Sequence, residues 1–512
     1  MLLRTTRLSP LFALLFAINA CSSSEPTPAR DASNDLTDAT ASPDAKSPSD
    51  VSDASDAVDV PTRPLPEIEG VPALPDMNPD PRIVEVRLTS APAVAHWRSG
   101  VDTDVLAYNG VIPGPMIHAR VGDRVIVHFT NELEDDTTVH WHGLRITDVM
   151  DGSPAIQEPV RPGGEFTYDF VVPDAGTFWY HSHIGTAEQI ERGLYGALVV
   201  HEADPPAVDR ERIFVLDDVK LANDGQIAPA LSAGPDIGRG RYGNVLLTNG
   251  STAAIEGTAP RNSVERWRLV SAANARSLRV RVNGATWQVV GTDGGLLAQP
   301  YSADEITIAP GQRYDLEVRM DAPSSSAAQL ITTVLTALSD GGTGDRDFTL
   351  ATVSLDGEVA ARPAWVAPSV ALPNVDPPMP RELTWVLGGR LADAGVEFTI
   401  NGVAGTGHGS HTGMADPIER VPQNRPVRIT LRSEVSPEHP FHLHGQFFQI
   451  VAPAARALAE PGLKDVVLVR GIEPVTILTY FENPGRWMVH CHISEHAERG
   501  MMSEVVVLPP AP

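Results

Sequence analysis

Sixteen histidines occur in this 512-residue chain, and ten of them fall into four tight groups. The groups are His140-Trp141-His142, His181-Ser182-His183, His439-Pro440-Phe441-His442-Leu443-His444 and His490-Cys491-His492 with His496. Residues two apart on a strand point to the same face, so each His-x-His pair holds two imidazoles side by side as a bite for a transition metal. One such pair is usually structural. Four pairs, two of them with a further histidine and one enclosing a cysteine, argue for metal chemistry.

The group around Cys491 carries the most information. Strand alternation sends the Cys491 side chain to one face and His490 and His492 to the other. The thiolate can then bind one metal while its neighbours bind others, with the backbone as a short covalent link. His496, five residues on, and Met501, ten residues on, can return to build a Cys-His site with a weak axial thioether, the blue-copper electron-transfer arrangement. His439, three before His442, is available as the second imidazole.

Elements suited to position these residues surround them. From residue 81 the pattern is all-β. Short alternating runs such as Arg124–Phe129 and Phe166–Val172 are separated by turn signals at Pro113-Gly114-Pro115, Gly122-Asp123, Pro162-Gly163-Gly164 and Pro310-Gly311. Forty-five prolines and 42 glycines suit many strand-connecting turns rather than a helical bundle. A weak internal repeat is visible. His140-Trp141-His142-Gly143 matches His442-Leu443-His444-Gly445, and each leads to a glycine turn, an aromatic strand and a second His-x-His: Gly176 to His183 in one copy, Gly485 to His492 in the other. Between His201 and His408 there is no histidine. That stretch reads as a structural spacer that lets the outer units meet.

The ends of the chain add context. Arg4 and Arg7 precede an apolar run, Leu11 to Ile18, too short to span a bilayer and suited to a secretory signal over residues 1–20. The run ends in Ile18-Asn19-Ala20-Cys21, which resembles a bacterial lipobox and implies a lipid on Cys21; an ordinary cleavable signal with an incidental cysteine is the plainer alternative. Ser22 after the cysteine resembles the outer-membrane default. Residues 21–80 carry 13 acidic against 3 basic side chains. That composition predicts a disordered tether. The formal charge of -26 argues against nucleic-acid binding, which needs a basic surface. With Cys21 taken by the signal, Cys491 has no disulfide partner, and a metal accounts for a lone exported thiol.

Taken together, the four histidine motifs, with Asn109-Gly110-Val111-Ile112-Pro113-Gly114-Pro115 and Gly122-Asp123, resemble a three-domain multicopper oxidase of the laccase family over about residues 81–508. The resemblance implies three cupredoxin-like Greek-key β-barrels, at 81–203, 204–365 and 366–512, and four copper ions. His439, Cys491, His496 and axial Met501 would hold the type 1 copper. His140 and His442 would hold the type 2 ion, His142, His181 and His492 one type 3 ion, and His183, His444 and His490 the other. The trinuclear site would lie between the first and third domains. Asp151, eleven after His140, matches a proton-delivering acid of related enzymes, although Asp151-Gly152 also reads as a solvated turn. Where many bacterial relatives place a glutamate directly after the last type 1 histidine, this chain has Ala497, with Glu498 one residue later.

The implied activity is one-electron oxidation of phenols or other small reductants, coupled to reduction of dioxygen to water by a chain expected to be monomeric. A metal oxidase acting on Cu(I), Fe(II) or Mn(II) is the alternative, disfavoured by methionines that are scattered rather than clustered. A non-catalytic relative would have lost ligands, and a copper store or simple carrier would lack the full set. His96, His118, His128, His201, His408 and His411 have no metal spacing. Met502, Trp141 and Trp179 read as packing residues.

Overall fold

The computed structural model describes residues 65–510, apart from 231–234, 323–324, 336–344, 362–371, 394, 406–416, 436–437 and 472. The signal segment, most of the acidic tether, His408 and His411 lie outside the described residues. No helix among those described is long and apolar enough to cross a membrane.

The described chain forms six sheets, paired into three sandwiches. In the first, the sheet Val101–Tyr108, Ile83–Arg98, Arg124–Asn131, Glu165–Val171 faces the sheet Gly114–Arg120, Tyr195–His201, Gly176–Ser182, Val139–His142. The predicted alternation appears in Arg124–Asn131, which buries Val125, Val127, Phe129 and Asn131 and turns the residues between them outward. Tyr168 and Phe170 do the same on the neighbouring strand. Strands nearer the centre of the molecule are covered on both faces: every residue of Val139–His142 and of Gly176–Ser182 is buried.

The same topology occurs three times. In each sandwich two strands pair in parallel with strands well separated in sequence. These pairs are Ile83–Arg98 with Arg124–Asn131 and Gly114–Arg120 with Tyr195–His201 in the first. They are Arg210–Val219 with Val264–Ser271 and Ile255–Arg261 with Asp345–Glu358 in the second. In the third they are Arg381–Ala392 with Val427–Ser433 and Glu419–Pro422 with Met502–Leu508. The histidine-free middle segment is thus a third copy of the unit. The family resemblance implied this third barrel, although the segment's own residues carry no metal motif to mark the repeat.

Each sandwich has its own core, around Trp141 and Phe178 in the first, Trp267 and Leu316 in the second, and Trp385 and Trp487 in the third. A further apolar cluster, with Trp179, Tyr195, Ile213 and Val270, joins the first sandwich to the second.

The packed chain begins earlier than composition implied. Residues 65–80, assigned to the tether, include a strand, Ile68–Glu69, that pairs in parallel with Glu211–Arg212 of the middle domain. Ile68 and Val71 are buried in the interdomain cluster, and Ala73 bridges to Met116. The acidic average over residues 21–80 masked these few apolar side chains, and local burial rather than mean composition decides order.

Candidate metal centre

The two His-x-His motifs of each outer domain are brought together by antiparallel pairing in the same register. His140 lies opposite His181 in the first domain, and His442 lies opposite His490 in the third. The two histidine-bearing edges face each other across the domain boundary. The His142 and His442 rings stack at 3.8 Å and 11°, and the His140 and His444 rings at 3.9 Å and 25°. Eight imidazoles thereby enclose one buried space.

Ligand-sized groupings within it are His140-His142-His442, His142-His181-His492 and His183-His444-His490, with the nitrogens of each set within 4.8 Å of one another. A fourth grouping, His439-Cys491-His496, lies on the other face of the Cys491 strand. There Cys491 Sγ is 3.6 Å from Nδ1 of both His439 and His496, and the two nitrogens are 3.2 Å apart. The short helix Ser494–Glu498 returns the chain to this face, where the buried Met501 accepts the Cys491 N–H on its carbonyl at 3.0 Å.

The hydrogen bonds set which nitrogen each ring offers. His140 Nδ1–H donates to the Asp151 carbonyl at 2.8 Å, His181 Nδ1–H to the Ser182 carbonyl at 2.8 Å, and His442 Nδ1–H to the Asp465 carbonyl at 2.9 Å. A carbonyl can only accept, so these rings carry their proton at Nδ1 and present an Nε2 lone pair inward, and those three Nε2 atoms are buried with no hydrogen-bond partner. His490 Nδ1–H likewise donates to the Cys491 carbonyl at 2.9 Å, and His444 Nδ1–H to Asp151 Oδ2 at 2.9 Å. Their Nε2 atoms then meet lone pair to lone pair at 3.0 Å, a contact that a cation bound by both relieves.

Burial also keeps the rings neutral. It pushes His142, His181, His442, His492 and His496 well below the usual histidine range, helped by neighbouring imidazoles, and His439 and His490 down to about 4. Burial pushes the Cys491 thiol up, so a thiolate here requires a cation beside it. Neutral imidazoles with inward lone pairs and one thiol in a fully enclosed, largely apolar setting form a soft N/S donor set that fits copper.

Asp151 is not a solvated turn residue. Its side chain is 1% exposed, Oδ2 holds His444, and Oδ1 lies 3.4 Å from His140 Nδ1. Gly152, at φ +79°, makes this turn possible, because a Cβ there would fall 1.9 Å from the Val139 carbonyl oxygen. Ala497 packs with Met488 and Met502. The Glu498 carboxylate accepts the Ala187 N–H at 2.7 Å and caps the neighbouring helix Thr186–Gln189. Trp141 and Trp179 are both core residues, and the Trp179 ring packs 4.4 Å from that of His181 and 5.1 Å from that of His142.

The remaining described histidines stand apart from the site. His96 pairs with Asp102, His128 with Glu85, and His118 packs against His201. Asp465 is a site residue that spacing did not reveal. The only signal was a charged pair, Lys464-Asp465, opening a strand, Val466–Arg470, that is buried except at its last residue.

Fold and donor set define a copper redox protein built from three β-sandwiches. Residues 92–205, 220–334 and 380–511 each match a model described as multicopper oxidase. The chain is 30% identical to multicopper oxidase MmcO of Mycobacterium tuberculosis, over 83% of this chain and 87% of that one. It is 31% identical to laccase-2 of Cryptococcus neoformans, over 80% and 82%. The crystal structure of a multi-copper oxidase from Pseudomonas thermotolerans superposes with a TM-score of 0.72 at 28% identity, covering 83% of this chain and 99% of that one. The chain belongs to the multicopper oxidase family. Its cofactor is copper, and its co-substrate is dioxygen.

Proposed function

We propose that the protein is a laccase-like oxidase that takes single electrons from phenols or similar small donors and passes them to dioxygen. In this reading His439, Cys491, His496 and Met501 would hold the type 1 copper. His140 and His442 would hold the type 2 ion, His142, His181 and His492 one type 3 ion, and His183, His444 and His490 the other. The observation that carries it is the partition of ten histidines and Cys491 into two buried sets joined by single peptide steps from Cys491 to His490 and His492. Bound copper supplies one-electron transfer and the four-electron reduction of dioxygen to water. The chain supplies the rest: backbone carbonyls fix the ring tautomers, the enclosing strands exclude water, and Asp151, anchored to His444 through Oδ2, offers Oδ1 as a proton site beside the cluster.

Oxygen uptake by copper-loaded protein, compared across 2,6-dimethoxyphenol, Cu(I) and Fe(II), tests the donor class. The phenol is expected to give the highest kcat/KM. Uptake confined to the metal ions would replace this reading with a metal oxidase.

For the exported state, residues 1–20 serve as signal, Cys21 carries the lipid, and an acidic linker holds a monomeric body at the outer membrane, facing the periplasm or the cell surface. The lipobox and the acidic composition support this. A Cys21→Ala chain is expected to leave the membrane fraction after cell breakage; retention there at the wild-type level would remove the anchor from the account.

A further inference from the structure

We infer that the copper-free middle domain sets the geometry of the trinuclear site, with Arg313 and Asp465 as positioning residues for His142 and His442 and Gly311 as the surface on which two ligand rings rest. The inference rests on the ligand assignment above. It goes beyond a spacer role, because it gives the middle domain direct contact with the ligand rings.

Arg313 belongs to the middle domain and is 0% exposed. All five of its N–H donors are used. Nε donates to the Thr177 carbonyl of the first domain at 3.0 Å. Nη1 donates to the Gly311 carbonyl at 2.9 Å and to Asp465 Oδ1 at 2.6 Å. Nη2 donates to the Asp293 carbonyl at 2.9 Å and to Asp465 Oδ2 at 2.7 Å. One planar guanidinium thus ties all three domains together, and its bidentate grip leaves the Asp465 carboxylate little freedom to rotate.

Asp465 then acts on two ligand rings. Its carbonyl accepts the His442 Nδ1–H, and its Oδ1 lies 3.5 Å from His142 Nε2. The His142 ring is therefore turned with Nε2 toward the carboxylate and Nδ1 toward the cluster, opposite in sense to His140, His181 and His442. Two glycines leave room for this arrangement. A Cβ on Gly143, the glycine of the first His-Trp-His-Gly motif, would meet Arg313 Nη2 at 2.4 Å and Asp465 Oδ2 at 2.6 Å. A Cβ on Gly311, at φ +83°, would lie 2.9 Å from His492 Cδ2 and 3.1 Å from His142 Cε1. The middle-domain turn is thus in direct contact with two rings assigned to the same type 3 ion.

The test compares copper-loaded wild type with Arg313→Lys, Gly311→Ala and Arg266→Lys. Arg266 is an equally buried middle-domain guanidinium whose ion pairs are with Glu202 and Asp315, carboxylates that touch none of the cluster histidines among the described residues. Copper per chain, the type 2 paramagnetic signal, the type 3 absorption band, the blue band and the melting temperature are read for each. Arg313→Lys and Gly311→Ala are expected to keep the blue band but lose most of the type 3 absorption, with copper falling from four ions per chain toward one. Arg266→Lys is expected to keep the wild-type copper content even if it melts earlier.

Wild-type copper content and spectra in Arg313→Lys would overturn the inference, as would copper loss in Arg266→Lys equal to that in Arg313→Lys. Should Gly311→Ala fail to fold, the Arg313→Lys comparison decides alone. A wild-type chain that bound only one copper would instead overturn the ligand assignment beneath the inference.

Discussion

The Cys491→Ser protein is expected to be colourless and to consume oxygen with a phenolic donor only at the rate of copper-free protein. The side chain is fully buried, with an imidazole nitrogen of His439 and one of His496 each 3.6 Å from the sulfur. A serine hydroxyl fits the same space and can still accept the Ile493 N–H that Sγ now receives at 3.4 Å. The fold should therefore survive, at a cost of about 1–3 kcal/mol if the hydroxyl is left partly unsatisfied. What is lost is the soft, polarisable thiolate, for which an alcohol at neutral pH is no substitute. The eight cluster histidines lie on the other face of the strand, so the type 2 paramagnetic signal should remain. A serine variant that stayed blue, or that turned over at the wild-type rate, would show that electrons do not enter through Cys491.

For Asp151→Asn the expected result is a fall in kcat of roughly 10²- to 10³-fold, within the range typical of a lost general acid. The rate of bleaching of the blue band by donor without oxygen should not change. The amide keeps an oxygen to accept the His444 Nδ1–H, and the backbone carbonyl at 151 still holds His140, so both rings stay in place. Only the capacity to hold and release a proton beside the cluster is removed. Asp151→Ala also removes the support of His444 and is expected to lose copper as well. If Asp151→Asn kept wild-type turnover and only Asp151→Ala failed, Asp151 would be a positioning residue, and proton delivery would have to be sought elsewhere.

Both predictions concern residues legible before any fold was known, and for a physical reason. Metal ligation demands particular side chains, and strand periodicity demands their spacing, so His140-Trp141-His142 and His490-Cys491-His492 announce chemistry and geometry together. Asp151 could be picked out only by its position relative to a motif. Its burial and its bond to His444, 293 residues away in sequence, depend on how two domains dock.

The chain by itself determined the all-β class, the identity of the metal and the division of labour on either face of the Cys491 strand, because each follows from local residue type and alternation. Tertiary structure alone decided that residues 65–80 join the packed body and that Arg313, Gly311 and Asp465 reach the ligand rings. These depend on contacts between residues more than a hundred positions apart. No local pattern encodes such a contact: a buried arginine or a turn glycine looks the same in sequence whatever it meets in space.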